Sequence, residues 1–184
     1  NYRDNNNIKK KINNICVKLL GKHNIFNATA AVIVCINLGV PQNVIKKSLK
    51  RFTGVQRRMT KLFSRNGNDF YDDYAHHPTE IKSILSSVKN IYNNRKIIAV
   101  FEPHRYSRIT SLKKEFSKSF SKADLVIMCP VYAAGEKKNY NFNLISFGKL
   151  ISKGSKTHVI IVKNRGELSN FLRKNLIKDE LIIG

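Results

Sequence analysis

Three observations predict an α/β chain built on a mostly parallel sheet, with an N-terminal hairpin strand in that sheet and a helical hairpin ahead of it. Short β-branched runs at 96–101, 125–129, 158–162 and 181–183 alternate with stretches of helical length, the pattern of strands covered on both faces by crossover helices. Asn66-Gly67-Asn68 separates two strand-like patterns at 59–63 and 69–74, and an Asn-Gly pair tolerates the positive φ of a tight hairpin. Ahead of Gly54, two helix-like segments meet at Gly39-Val40-Pro41, where glycine ends one helix and proline begins the next.

Residues 1–14 are rich in Asn and Lys and are expected to form a poorly packed edge or loop. Residues 15–20 alternate enough to be a strand, and 21–24 turn the chain. The segment 25–38 is a strongly apolar helix in which Ala28, Ala30 and Ala31 permit close packing, and a second helix follows from Pro41 to 52. A boundary near Gly54 divides the chain into an expected domain at 1–55 and another at 56–184. In the second domain, helices are expected at 78–92, 109–123, 144–153 and 167–175, each preceding a strand.

The chain has 184 residues, of which 42% are hydrophobic, enough for a real core. No apolar run approaches the ~20 residues of a membrane span, and residues 1–11 are polar and basic, unlike a secretory leader. A cytoplasmic protein with no membrane partner is expected. The 34 Lys and Arg against 12 Asp and Glu give a net charge of +22, so a basic nucleic-acid-binding module is a competing reading. The lysines are spread at helix-surface spacings, as at Lys113, Lys114, Lys118 and Lys122, which favours a solvated surface and no nucleic acid. Cys16, Cys35 and Cys129 lie far apart inside apolar segments and read as buried small hydrophobes. No metal-ligand spacing is present.

Three clusters could carry chemistry. In Asp72-Asp73-Tyr74-Ala75-His76-His77-Pro78, Pro78 suits the first helical position and makes His77 the N-cap. Asp73 at a strand end can accept the hydroxyls of a ribose, and His76 can contact a phosphate or move a proton near neutral pH; equally, these residues could only end a strand and cap a helix. In Phe101-Glu102-Pro103-His104-Arg105-Tyr106-Ser107-Arg108, Arg105 and Arg108 can form a fork around a carboxylate or phosphate, or else pair with Glu102 or Glu115. In Gly21-Lys22-His23-Asn24-Ile25-Phe26-Asn27-Ala28, Asn24 and Asn27 share a helix face and offer the donor and acceptor that an adenine edge requires, or act as caps. No Gly-x-x-x-x-Gly-Lys-Ser/Thr loop occurs in the sequence, so a phosphate cradle of that kind would lie outside this chain.

These clusters, with Phe52-Thr53-Gly54-Val55-Gln56-Arg57-Arg58 between the first and second in chain order, resemble the Mur ligases of peptidoglycan synthesis. Pro103-His104-Arg105-Tyr106-Ser107-Arg108 and Val131-Tyr132-Ala133-Ala134-Gly135-Glu136 side with the branch that joins L-alanine to UDP-N-acetylmuramate, against the murein tripeptide recycling branch. The resemblance implies an ATP-dependent ligase working through an acyl phosphate, with Mg2+ held mainly outside this chain. It implies that 1–55 end a central ATP-binding domain and that 56–184 form a Rossmann-like C-terminal domain, truncated at its end. The chain is thus expected to be a fragment, inactive alone. By the same resemblance Asn24 and Asn27 contact the adenine, Arg58 and Asp73 the nucleotide, and His76 the phosphates, with His76 and Asp73 catalytic. Tyr74, His104, Arg105 and Arg108 hold L-alanine. Glu102 stands where the family commonly has Gln and is expected to face away.

Overall fold

The computed structural model describes residues 2–3, 9–19 and 21–184, which divide into two compact units, Asn1–Val55 and Gln56–Gly184.

In the first unit, β1 (Tyr2–Arg3) pairs antiparallel with β2 (Lys9–Lys10), within the segment where a poorly packed edge or loop was expected. Residues 15–19 form no strand, a correction of the alternation reading, and Leu20 lies outside the described residues. Alternation makes a strand only where a neighbour supplies a ladder, and no described residue pairs with 15–19. Helix α1 (Lys22–Asn37) begins after Gly21, whose φ is 96°. It ends through Gly39, whose φ is 77° and whose N–H donates to Ile36 O at 3.0 Å. Pro41 is the N-cap of α2 (Gln42–Arg51), one place earlier than the first-turn position expected. Val32 and Ile45 are the buried apolar residues of this pair of helices.

In the second unit, β3 (Thr60–Arg65) and β4 (Asn68–Asp72) form the expected antiparallel hairpin, with Asn66 and Gly67 at φ of 52° and 79°. The ladder slips between Lys61 and Phe63, which bends this edge strand. Then follow α3 (Pro78–Ile91), β5 (Lys96–Phe101), α4 (Tyr106–Ser111), α5 (Lys113–Ser117), β6 (Leu125–Met128), α6 (Leu144–Ser155), β7 (His158–Ile161), α7 (Arg165–Asn175) and β8 (Glu180–Ile183). The sheet order is β3-β4-β8-β5-β6-β7, and every pair beyond the first hairpin is parallel. The chemistry-bearing loops after β4, β5 and β6 therefore emerge at one edge of the sheet.

Alternate residues of β5 serve opposite faces. Ile97, Ala99 and Phe101 join Ile81, Leu85 and Val88 of α3, Phe116 of α5, and Phe147 and Ile151 of α6 in the larger core. Ile98 and Ile182 join the smaller one, closed by Leu168, Phe171 and Leu172 of α7. Burying side chains of this size stabilises by ~1.5–3 kcal/mol each. The single helix expected at 109–123 is two short helices starting at Tyr106, with a break at Leu112 (φ −109°, ψ 26°). Ile109, Phe116 and Phe120 are all buried; apolar spacing governs burial and leaves hydrogen-bond continuity undetermined.

All three cysteines are free. Cys16 is exposed and Cys35 and Cys129 are half-buried, which corrects the reading of all three as buried: Cys16 sits in the irregular 11–19 segment, with no strand or helix to cover it. No helix among the described residues is long and apolar enough to cross a membrane.

Candidate functional site

Asp73 follows β4 directly and is held by its neighbours. Its Oδ2 accepts the N–H of Met59 and its Oδ1 the N–H of Ala75, each at 2.8 Å, while its own N–H donates to Gly184 O at 2.6 Å. Burial pushes the Asp73 carboxyl above its ordinary value, against the lowering effect of those two N–H donors. The carboxylate thus fixes the path of 57–75 around the end of β4. Each oxygen keeps a second lone pair.

Next in the chain, His77 is the N-cap of α3: its Nδ1 accepts the N–H of Thr79 at 3.3 Å, and Glu80 completes the capping box by accepting from the N–H of His76 and of His77 at 3.2 and 3.3 Å. Burial would raise the Glu80 carboxyl, but these N–H groups and the charges of His76 and Arg58 hold it below its usual value. Arg58 Nη1 lies 3.7 Å from Glu80. The α3 start is therefore already satisfied by its own residues.

Four rings line the crevice mouth. Tyr74 lies 4.9 Å from His76, His76 lies 5.5 Å from His104, and His104 lies 5.3 Å from Tyr132, between ring centroids. On the outer side the Arg57 guanidinium covers the Tyr74 ring at 4.5 Å. The two imidazoles hold opposite tautomers. His76 Nδ1 faces the carbonyl of Tyr74 at 2.9 Å, which can only accept, so Nδ1 carries the hydrogen and, in neutral His76, Nε2 keeps a lone pair. His104 Nδ1 faces Arg108 Nη1 at 3.1 Å, which can only donate, so in neutral His104 the hydrogen is on Nε2. Burial, then the positive charges of Arg108, His76 and Arg105, push the His104 pKa below its ordinary value.

Arg108 thus leans on His104, and neither arginine forms the surface pairs with Glu102 or Glu115 among the described residues. Glu102 is exposed. Arg105 precedes α4 with a φ of 66°, a left-handed conformation that a non-glycine residue holds only under constraint from its surroundings. Tyr74, His76, His104 and Arg108 are brought together with Asp73 behind them. Asn24 and Asn27 lie in the first unit, in the opening turns of α1; the cap position there is Gly21, so neither asparagine is the N-cap.

Several contributors carry no site role in the sequence reading. Glu80 is the acid three places after an N-cap, a pattern that marks a helix start. Arg57, Tyr132 and Glu136 lie in segments that carry the family resemblance, but their contacts are made between loops and no local pattern specifies those. Among the described residues no three His, Cys, Asp or Glu side chains gather to hold a metal ion.

The family model for the Mur ligase, glutamate ligase domain, matches residues 57–183. The UDP-N-acetylmuramate--L-alanine ligase of Pelagibacter ubique is 48% identical over 173 residues, covering 94% of this chain and 37% of that protein. The enzyme of the same name from Brachyspira hyodysenteriae is 53% identical over 120 residues, covering 65% of this chain and 26% of that protein. Among solved structures, the UDP-N-acetylmuramate-alanine ligase of Thermotoga maritima superposes with a TM-score of 0.66 at 27% identity, over 92% of this chain and 35% of that one. The chain spans less than half the length of each of these proteins. Its parallel sheet, its paired histidine and arginine loops and the family match over most of its length lead to one conclusion: this chain belongs to the Mur ligase family.

Proposed function

We propose that this chain is the C-terminal part of an ATP-dependent ligase that joins L-alanine to the carboxylate of UDP-N-acetylmuramate, with 1–55 closing a central ATP-binding domain and 56–184 receiving the amino acid. The observation that carries the proposal is the convergence of Tyr74, His76, His104 and Arg108, with Arg105 beside them, on one edge of a parallel sheet, in a chain 48% identical to a ligase of that name. Arg105 and Arg108 present charged donors suited to the carboxylate of a free amino acid. Tyr74 and the Nε2–H of His104 complete a small polar wall around it. Asn24 and Asn27 read the adenine, and Arg58 and Asp73 meet the nucleotide.

The chemistry is an exchange of leaving groups. A muramyl carboxylate oxygen attacks the γ-phosphorus of ATP and ADP departs; the alanine nitrogen then attacks the acyl carbon and phosphate departs. The ammonium of alanine must shed a proton before it attacks, and the Nε2 of neutral His76 offers a lone pair for it. Mg2+ neutralises phosphate charge when bound. By the family resemblance, the residues that would hold it lie mainly outside this chain, and the chain by itself is expected to be inactive.

The test is alanine-dependent phosphate release by the complete ligase with UDP-N-acetylmuramate. Absence of turnover with alanine, or turnover with a muramyl-acceptor tripeptide in its place, would overturn the proposal. Arg105→Ala should raise the KM for alanine ~10-fold or more, the loss of a charge-assisted bond; an unchanged KM would mean that the carboxylate clamp lies elsewhere.

A further inference from the structure

The loop after β6 grips the arginine-bearing segment at two points. Tyr132 N donates to Pro103 O at 2.8 Å, and Arg105 N donates to Tyr132 O at 2.9 Å. Four residues on, Glu136 Oε2 accepts the backbone N–H of Ser107 at 3.1 Å, and its Oε1 accepts the Ser107 hydroxyl. Ala134 and Gly135, with φ of 51° and 87°, turn the loop back so that the carboxylate reaches. Arg105 lies between these two ties, and its own left-handed φ of 66° is the conformation they impose.

Both oxygens of Glu136 accept from Ser107. Among the described residues no ion pair joins this carboxylate to Arg105, although it lies close enough to attract the guanidinium. Its charge-assisted bonds hold the first turn of α4, and so the direction in which Arg108 leaves that turn. We infer that Glu136 is a positioning residue for the substrate-carboxylate clamp, fixing Arg105 and Arg108 through Ser107. This rests on the proposal that these arginines receive the amino acid's carboxylate.

The experiment uses the complete ligase and measures KM separately for amino acid, ATP and UDP-sugar. Glu136→Ala should raise the amino-acid KM roughly tenfold and leave the other two KM values and kcat at saturating amino acid unchanged. Glu136→Gln keeps one acceptor oxygen and should recover part of the loss. Ser107→Ala keeps the backbone bond and should give a smaller rise, and Ser107→Ala with Glu136→Ala together should be no worse than Glu136→Ala alone, because the two groups form one tie. An unchanged amino-acid KM overturns the inference, as does a parallel rise in all three KM values with a lowered Tm. Should Glu136→Ala fail to fold, Ser107→Ala decides, and no rise there overturns it. Turnover with a different amino acid would refute the alanine reading while the same KM comparison still decides the role of Glu136.

Discussion

Replacing Arg95 by alanine should unfold the second unit's hairpin edge at a cost of ~3 kcal/mol. Arg95 stands just before β5, at the end of the sheet away from the crevice. Its Nη1 donates to Asp69 Oδ2 at 2.6 Å, and its Nη2 to the carbonyls of Gly67 and Glu180 at 3.1 Å each. Its Nε lies 2.7 Å from Asp179. Asp179 is 71% exposed, and such a pair contributes ~0–1 kcal/mol. Asp69 and Arg95 are half-buried, 16% and 15% exposed, so the ~3–5 kcal/mol lost on breaking a fully buried pair by removing one partner is an upper range here. The lower end applies, because Lys61 Nζ remains 2.7 Å from the other Asp69 oxygen. That is a large share of the roughly 5–15 kcal/mol that holds an ordinary domain together. The effect is also pH-dependent. Arg95, with Lys61 and Ser64, holds the Asp69 carboxyl well below its ordinary 3.8, so its contribution is complete above that value and is lost as pH falls towards the lowered one. Denaturant unfolding of this chain and of Arg95→Ala should show the full gap at pH 7 and a shrinking gap below pH ~4. A gap under ~1 kcal/mol at pH 7, or one that widens as pH falls below ~4, would refute the reasoning.

Two further outcomes follow from individual contacts. Gly154→Ala should destabilise by ~1–3 kcal/mol despite alanine's better helix propensity, because the added Cβ would sit 2.5 Å from Ser117 O and 2.8 Å from its Cβ; thermal unfolding checks this, and a raised Tm would contradict it. Arg108→Gln should raise the pKa of His104. Burial and Arg108 are the two largest influences holding the His104 pKa down, and removing the second lets His104 protonate earlier as pH falls; NMR titration of the His104 ring checks this, and an unmoved or lowered value would contradict it.

How far the sequence reveals this molecule depends on the range of the forces involved. The run 96–101 became β5 without change because an uninterrupted β-branched segment has few places to go except the middle of a sheet. The α3 start was legible because Pro78, His77 and Glu80 encode it within four residues. Residues 15–19 failed as a strand since pairing needs a partner that alternation does not supply. The break at Leu112 leaves no mark in the apolar pattern, because Ile109, Phe116 and Phe120 keep a helical spacing on either side of it. In the site, Tyr74, His76 and His104 could be named from their motifs, yet their opposite tautomers depend on a carbonyl and a guanidinium brought in by the fold. The commitment of both Asp73 oxygens to Met59 and Ala75 was equally invisible.

The strand β8 follows all the others in sequence and yet lies between β4 and β5. Until residues 180–183 arrive, the β3-β4 hairpin and the β5-β6-β7 ribbon have no edge in common, and the loops carrying His76 and His104 belong to separate pieces. During synthesis the two halves of the crevice are made early and joined late, by a strand that bears none of Tyr74, His76, His104 and Arg108. The nascent chain therefore exposes two unpaired strand edges, on β4 and β5, for as long as the ribosome takes to complete the intervening helices. Substitutions in Leu181 or Ile182, both buried in β8, should consequently act first on the yield of folded protein, before any effect on the chemistry is seen.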